Sequence, residues 1–133
     1  MDSMAHPDVV PADDPYLARV RDLALSLPGA QEKRSVGQPT FFTTKVFLWV
    51  GMSYKVDGEW KRDPHSVSVL LPQDEREAVL ALPDTFIPGY IGPSGWVGVA
   101  LHEGTDWQEI AELIEESYRQ TAPQKLIAEL GNR

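Results

Sequence analysis

Basic side chains, which bind phosphate, are concentrated in one stretch of an otherwise acidic chain. Residues 31–62 carry six Lys or Arg residues and three acids, whereas the whole chain of 133 residues has a formal charge of −8. Because phosphate contacts supply much of the affinity of proteins for nucleic acid, this stretch is a candidate site for double-stranded DNA. The net charge opposes this function, since acidic proteins bind nucleic acid and anionic membranes poorly. The six basic residues are Lys33, Arg34, Lys45, Lys55, Lys61 and Arg62.

Three of these basic residues surround a predicted β-hairpin turn. Asp57-Gly58 is a strong signal for a two-residue turn, and Lys55, Lys61 and Arg62 lie beside it together with Trp60. A projecting basic hairpin can contact phosphates while its aromatic side chain stacks on a base or wedges between bases. Lysines also blunt exposed edge strands, so an ordinary solvated hairpin is an alternative interpretation.

A second candidate surface is the loop of residues 88–96. Its three glycines and two prolines predict tight turns or a close approach of a ligand to the backbone. Tyr90, Ser94 and Trp96, together with Trp49 from a predicted strand, would then contact a protein partner or a small ligand. This is the alternative function, and under it the basic stretch is simply solvated.

The sequence offers no recognisable catalytic or metal-binding constellation. Ser94 lies in Gly92-Pro93-Ser94-Gly95-Trp96, but a nucleophile elbow needs glycine two residues after the serine, where this chain has Trp. His65 and His102 fall near predicted strand ends without the i, i+4 spacing of a helical zinc site. We therefore expect a protein that is not an enzyme, with no catalytic residue, no metal and no cofactor.

Apolar periodicity and turn residues predict one α+β domain. Strands that follow one another between helices imply two layers: an antiparallel sheet of about five strands with helices packed on one face. The small residues Gly98 and Ala100 leave room for a helix or a bulky side chain against one strand. The predicted helices span residues 14–28, 73–83, 105–118 and 121–131, and the predicted strands span 40–44, 46–50, 66–71 and 96–101, with a short strand near 85–87.

Two helix starts have clear capping signals. Asp14 precedes Pro15, which suits the first helical position. Thr105 is followed three residues later by Gln108, which predicts a capping box with Thr105 as the cap.

The chain ends and its hydropathy give further expectations. Residues 1–12 lack an apolar pattern and predict a disordered tail, which leaves residues 13–131 as the single domain. The sequence contains neither a signal peptide nor an apolar run of about 20 residues. These features predict a cytoplasmic protein with no membrane partner, and they do not define its oligomeric state.

Several short motifs follow one another along the chain: Leu25-Ser26-Leu27-Pro28-Gly29, Gly37-Gln38-Pro39-Thr40-Phe41, Lys45-Val46-Phe47, Val67–Leu71 followed by Pro72, Pro88-Gly89-Tyr90, Ser94-Gly95-Trp96-Val97 and Ser117-Tyr118. Their order resembles that of the MmcQ/YjbR family. The resemblance covers residues 17–126 and implies a small α+β domain similar to secretion-chaperone-like and frataxin-like folds. It also implies DNA binding through a double-wing shape. The segment between Gly51 and His65 is longer than in the usual pattern, which adds basic residues to the candidate wing.

Overall fold

A computed structural model of the chain describes residues 10–35 and 37–131. Within them, six strands form one antiparallel sheet in the order β1-β2-β3-β6-β8-β7, and β4 and β5 form a separate hairpin. The predicted α+β class is therefore confirmed. The helices are α1 (Pro15–Leu25), α2 (Gln73–Leu80), α3 (Trp107–Thr121) and α4 (Gln124–Gly131), and the strands are β1 (Gln31–Ser35), β2 (Gln38–Phe42), β3 (Val46–Val50), β4 (Ser53–Val56), β5 (Glu59–Arg62), β6 (Ser66–Leu70), β7 (Thr85–Phe86) and β8 (Trp96–Ala100).

The hydrophobic core lies between the sheet and a helix layer. Phe41, Leu48, Val69 and Val97 are successive register partners across four strands, and each is fully buried. Because direct cross-strand partners point to the same face, these side chains form one apolar row. The helices supply the opposite side of the core through Leu17, Val20 and Ala24 of α1 and Ile110, Ile114 and Tyr118 of α3.

Ser117 joins helix α3 to the sheet at the point where two strands separate. The pairing of β3 with β6 ends at Leu48 and Val69. One residue further on, the Ser117 hydroxyl donates to the carbonyl oxygen of Phe47 at 2.6 Å and accepts from the backbone N–H of Leu70 at 2.8 Å. The side chain therefore takes over the hydrogen bonds that the ladder would have made.

A second row of partners occupies the other face of the sheet. Thr40, Trp49, Ser68, Gly98 and Phe86 are successive partners in the register. A Cβ at position 98 would lie 2.2 Å from Cε2 of Phe86, so the glycine makes room for the ring. The expectation that a small residue at 98 accommodates a bulky side chain is thus confirmed, and the ring of Phe86 becomes a support for the hairpin.

The structure corrects several of the predicted elements and their bounds. Strand β1 adds a sixth strand; its sequence Gln-Glu-Lys-Arg-Ser has no apolar alternation because it is a sheet edge. Helix α1 ends at Leu25 with Ser26 as its cap, before the predicted stop at Pro28. Val10, expected in the tail, is fully buried in the core, while residues 1–9 of that tail lie outside the described residues.

Thr105 is not the cap of α3, contrary to the prediction. Asp106 takes this position, and its carboxylate accepts from the backbone N–H groups of Gln108 and Glu109. The Thr105 hydroxyl instead accepts from the backbone N–H of His102 at 2.7 Å. Asp is at least as good a cap as Thr, so the loop can use the threonine elsewhere. The predicted cap of α1 is confirmed, since Asp14 accepts from Tyr16 and Leu17.

Candidate nucleic-acid interface

Strands β4 and β5 form the predicted hairpin around Asp57-Gly58. Both turn residues have positive φ, 50° for Asp57 and 82° for Gly58. Positive φ at both central positions is the signature of a type I′ turn, whose twist matches that of a hairpin. The turn signal in the sequence therefore located this element correctly.

The register divides the hairpin side chains between two faces. Tyr54 stacks on Phe86, with ring centroids 4.3 Å apart, so its face is turned toward the sheet. Lys55 pairs with Trp60 and Ser53 pairs with Arg62, which places these four residues on the other face. The hairpin thus presents Lys55, Trp60 and Arg62 together.

Residues 88–90 run beside β4 and bring the second predicted surface to the first. The backbone N–H of Gly89 donates to the Ser53 carbonyl oxygen at 2.8 Å, and Pro88 forms a bridge with Tyr54. A Cβ at position 89 would lie 2.5 Å from Cζ3 of Trp60. Glycine at this position therefore lets the edge of the indole ring lie against the backbone.

Tyr90 stacks on Trp60, and we call this pair the Trp60–Tyr90 platform. The ring centroids are 5.3 Å apart and the planes differ by 14°. The Tyr90 side chain is 81% exposed and that of Trp60 is 49% exposed. Tyr90 has a φ of 63°, a conformation that bulky residues rarely adopt. Backbone strain of this kind concentrates at functional sites, and here it accompanies an aromatic ring held in solvent.

Three cations lie near the platform: Lys55 and Arg62 share its face of the hairpin, and Lys61, which pairs with Tyr54 on the other face, lines the concavity beside it. The Lys55 ammonium lies 5.4 Å from the centroid of the Trp60 ring. A shallow surface concavity of about 420 Å³ is lined by Ser53, Trp60, Lys61, Arg62 and Tyr90. Lys55, Lys61 and Arg62 are all exposed. The arrangement places flat aromatic surface next to positive charge, which suits a ligand with both a planar group and a phosphate.

The other three predicted cations lie elsewhere. Lys33 is on edge strand β1, where its ammonium lies 4.7 Å from the Phe42 ring centroid. Lys33 pairs with Thr40, the first residue of the row that ends at Phe86. Five strand spacings, about 24 Å, therefore separate Lys33 from Phe86. Arg34 donates to the carbonyl oxygens of Val10 and Gly37. Lys45 is in the turn before β3, at the opposite end of that strand from the hairpin.

The remaining residues of the second predicted surface also separate. Tyr90 belongs to the platform, whereas Ser94 is an exposed residue of the 3₁₀ turn Gly92–Ser94. Trp96 is partly buried at the start of β8 and pairs with Leu70. Trp49 is partly buried in the sheet row described above. Sequence reasoning missed the contact between Trp60 and Tyr90, for which Gly89 was the available local signal.

The two histidines within the described residues, His65 and His102, pair with carboxylates. His65 Nε2 lies 2.6 Å from Asp14 Oδ2, and His102 Nε2 lies 2.9 Å from Asp84 Oδ2. Burial acts to raise the pKa of Asp14, but hydrogen bonds from Leu17, His65 and Tyr16 and the charge of His65 outweigh it, so this pKa is lowered. Within residues 10–35 and 37–131, no group of three or more His, Asp or Glu side chains is placed to hold a metal ion.

Comparison with known proteins identifies the family of the chain. Among the described residues, no helix combines the length and apolar character needed to cross a membrane. A search of curated proteins finds no match. The family model described as YjbR matches residues 25–120, more than two thirds of the chain, and this range includes the hairpin and Tyr90. The chain therefore belongs to the YjbR family.

Proposed function

We propose that this YjbR-family protein binds DNA through the Trp60–Tyr90 platform and the cations around it. The observation that carries the proposal is an exposed aromatic stack bordered by Lys55, Lys61 and Arg62. Aromatic rings next to positive charge are the combination that recognises bases and phosphates together. The proposed role is binding, with no catalytic step.

The distribution of charge supports an oriented contact. The helix layer carries acidic side chains on α2 and α3, while the hairpin presents its cations on the other side of the sheet. DNA is repelled by the first surface and attracted by the second, although the net charge of the chain is −8. The acidic side chains of the two helices are Asp74, Glu75, Glu77, Glu109, Glu112, Glu115 and Glu116.

The test compares two double variants with the same change in net charge. Lys55→Glu with Arg62→Glu reverses two cations on the Trp60 face, and Lys45→Glu with Lys125→Glu reverses two exposed cations away from it. Both variants move the formal charge from −8 to −12. Fluorescence anisotropy with a labelled DNA of mixed sequence should show lost binding for the first variant and nearly unchanged binding for the second. Equal losses would assign the effect to overall charge and overturn the site.

A protein partner is the second candidate, favoured by Ile87. This side chain is 59% exposed and lies three residues before Tyr90, so exposed apolar surface extends beyond the platform. Aromatic residues bordered by apolar side chains are typical of the energetic centres of protein interfaces. This alternative predicts that Ile87→Asp and Tyr90→Ala both abolish co-purification of a partner, and that the protein shows no binding to DNA at about 50 mM salt.

A further inference from the structure

We infer that the platform accepts an unpaired base of single-stranded DNA in preference to an intact duplex. The inference rests on the proposed function and specifies its ligand. It follows from the exposure of the Tyr90 ring, from the number of cations near it and from the rigidity of the stack.

The exposure of Tyr90 determines which part of DNA it can contact. Trp60 lies with Cζ3 and Cη2 of its ring against Gly89 and is 49% exposed, whereas its stacking partner Tyr90 is 81% exposed. A further flat ring can therefore join the stack on Tyr90. In a duplex the base faces are covered by neighbouring base pairs, and only the base edges are accessible in the grooves. The face of a base becomes available when the strand is unpaired.

The number of cations favours the same ligand. A protein that makes about 6–10 phosphate contacts with a duplex draws a large share of its affinity from them. The platform has Lys55, Lys61 and Arg62 beside it, and the hairpin also carries the acids Asp57 and Glu59. Three cations give too little phosphate affinity for such a duplex binder. Stacking, which strengthens binding by roughly 5- to 150-fold per base, has to supply much of the remainder.

The stack is held in place before any ligand arrives. The backbone N–H of Ile91 donates to the carbonyl oxygen of Gly89 at 2.6 Å, and that of Gly92 donates to the carbonyl oxygen of Pro88 at 3.0 Å. Two tight turns therefore enclose Tyr90. The hydrogen bond from Gly89 to Ser53 ties the same segment to β4. Since the ring is already positioned, a base that stacks on it loses little affinity to ordering of the protein.

The experiment uses the full chain and three labelled probes of equal length. Binding is measured at low ionic strength. The probes are a single strand of mixed sequence, a duplex with both ends closed by linkers that carry no bases, and a strand in which abasic sites replace the bases. The abasic strand keeps the phosphates and removes the stacking partners. We expect the single strand to bind at least about tenfold tighter than either other probe, a difference within the range for stacking one or two bases.

Variants of Tyr90 connect the preference to the platform. Tyr90→Ala should weaken binding of the single strand at least about fivefold, and Tyr90→Phe should retain it, because stacking needs the ring and not the hydroxyl. Ile87→Ala removes another exposed apolar side chain nearby and should have no effect on this affinity. Unchanged melting temperatures would confirm that the variants are folded.

The outcomes separate the inference from the function on which it rests. If the closed duplex or the abasic strand binds as tightly as the single strand, the inference is wrong and the proposal that the protein binds DNA stands. If Tyr90→Ala binds the single strand normally, the inference is also wrong, and the DNA contact lies outside the platform. Equal losses for Tyr90→Ala and Ile87→Ala would also overturn a specific role for the ring. If none of the three probes binds at low salt, the proposed function itself fails.

Discussion

Gly98 makes room for the Phe86 ring on which the hairpin packs. Its missing side chain leaves space for Phe86, whose ring lies on the sheet and stacks with Tyr54. Gly98→Ala would place a Cβ 2.2 Å from Cε2 of Phe86 and force the ring to move. We expect a loss of about 1–3 kcal/mol in the free energy of unfolding, the usual range for overpacking, measured by urea denaturation.

A double-mutant cycle tests the assigned cause. In a Phe86→Ala background the ring is absent, so Gly98→Ala should cost much less than in the wild-type protein. An equal cost in both backgrounds would mean that the alanine clashes with something other than Phe86.

Asp14 combines a helix cap with the pair to His65, and this makes its contribution dependent on pH. The pKa of Asp14 is lowered from 3.8. A carboxyl whose pKa is lower in the folded state stabilises the fold above its unfolded pKa, and this stabilisation is lost as the pH falls through the folded pKa. Asp14→Ala should cost about 1 kcal/mol at pH 7 through loss of the cap, and thermal melts should show this cost shrinking below about pH 4.

Asp14→Asn is the matched control, because asparagine keeps a capping oxygen without the charge. It should cost less than Asp14→Ala at pH 7. A cost of Asp14→Ala that stays constant down to pH 2 would contradict the lowered pKa.

At the scale of elements, the sequence predicted those that carry their own local signal. Apolar alternation located β6 and β8, and the pair Asp57-Gly58 located the hairpin turn. Strand β1 is polar throughout. Its extended structure is determined by its pairing with β2 and not by its own composition. The separation of Lys33 and Arg34 from the hairpin could not be predicted either, because both residues lie on this unpredicted strand, at the edge of the sheet.

The candidate site was predicted in two halves that only the fold unites. Trp60 belonged to a basic hairpin, and Tyr90 belonged to a Gly/Pro loop 30 residues later. Their stacking depends on the pairing of Pro88 with Tyr54 and on the left-handed φ of Tyr90. Neither follows from local propensity, since a bulky residue in that conformation is the exception.

Ser117 holds helix α3 against the sheet through two strand backbones. Ser117→Ala removes both hydrogen bonds and leaves the N–H of Leu70 and the carbonyl oxygen of Phe47 without this partner. Because buried polar groups that lose their partner keep the cost of desolvation, we expect a loss of about 1–3 kcal/mol in the free energy of unfolding. Urea denaturation would measure this loss.

Thr121→Ala on the same helix provides the comparison. The Thr121 hydroxyl donates within the helix to the carbonyl oxygen of Ser117, so its removal leaves the sheet contacts intact. We expect a change within about 0.5 kcal/mol. A similar loss for both variants would show that the bridge between the strands adds nothing beyond a local hydrogen bond.

At the scale of the whole molecule, the sheet separates two surfaces of different charge. The basic hairpin packs through Tyr54 on the row that includes Gly98, and the acidic α3 packs on the row that includes Val69. An excess of acid in the chain is therefore compatible with one local binding site for an anion. Under the proposed function, the negative helix layer would limit the length of DNA in contact with the protein, since a strand that extends toward it is repelled.

This arrangement predicts a shallow dependence of DNA binding on salt. If all six cations of residues 31–62 bound duplex phosphates, the plot of log affinity against log salt would have a slope of about −5. Because Lys33, Arg34 and Lys45 lie away from the platform, three contacts remain, and the expected slope is about −2 for a single strand and about −3 for a duplex. Anisotropy titrations between about 50 and 200 mM salt measure it. Lys45→Glu should leave the slope unchanged, and Lys55→Glu should reduce its magnitude by nearly one. A slope near −5 would instead mean that the distant cations also contact DNA.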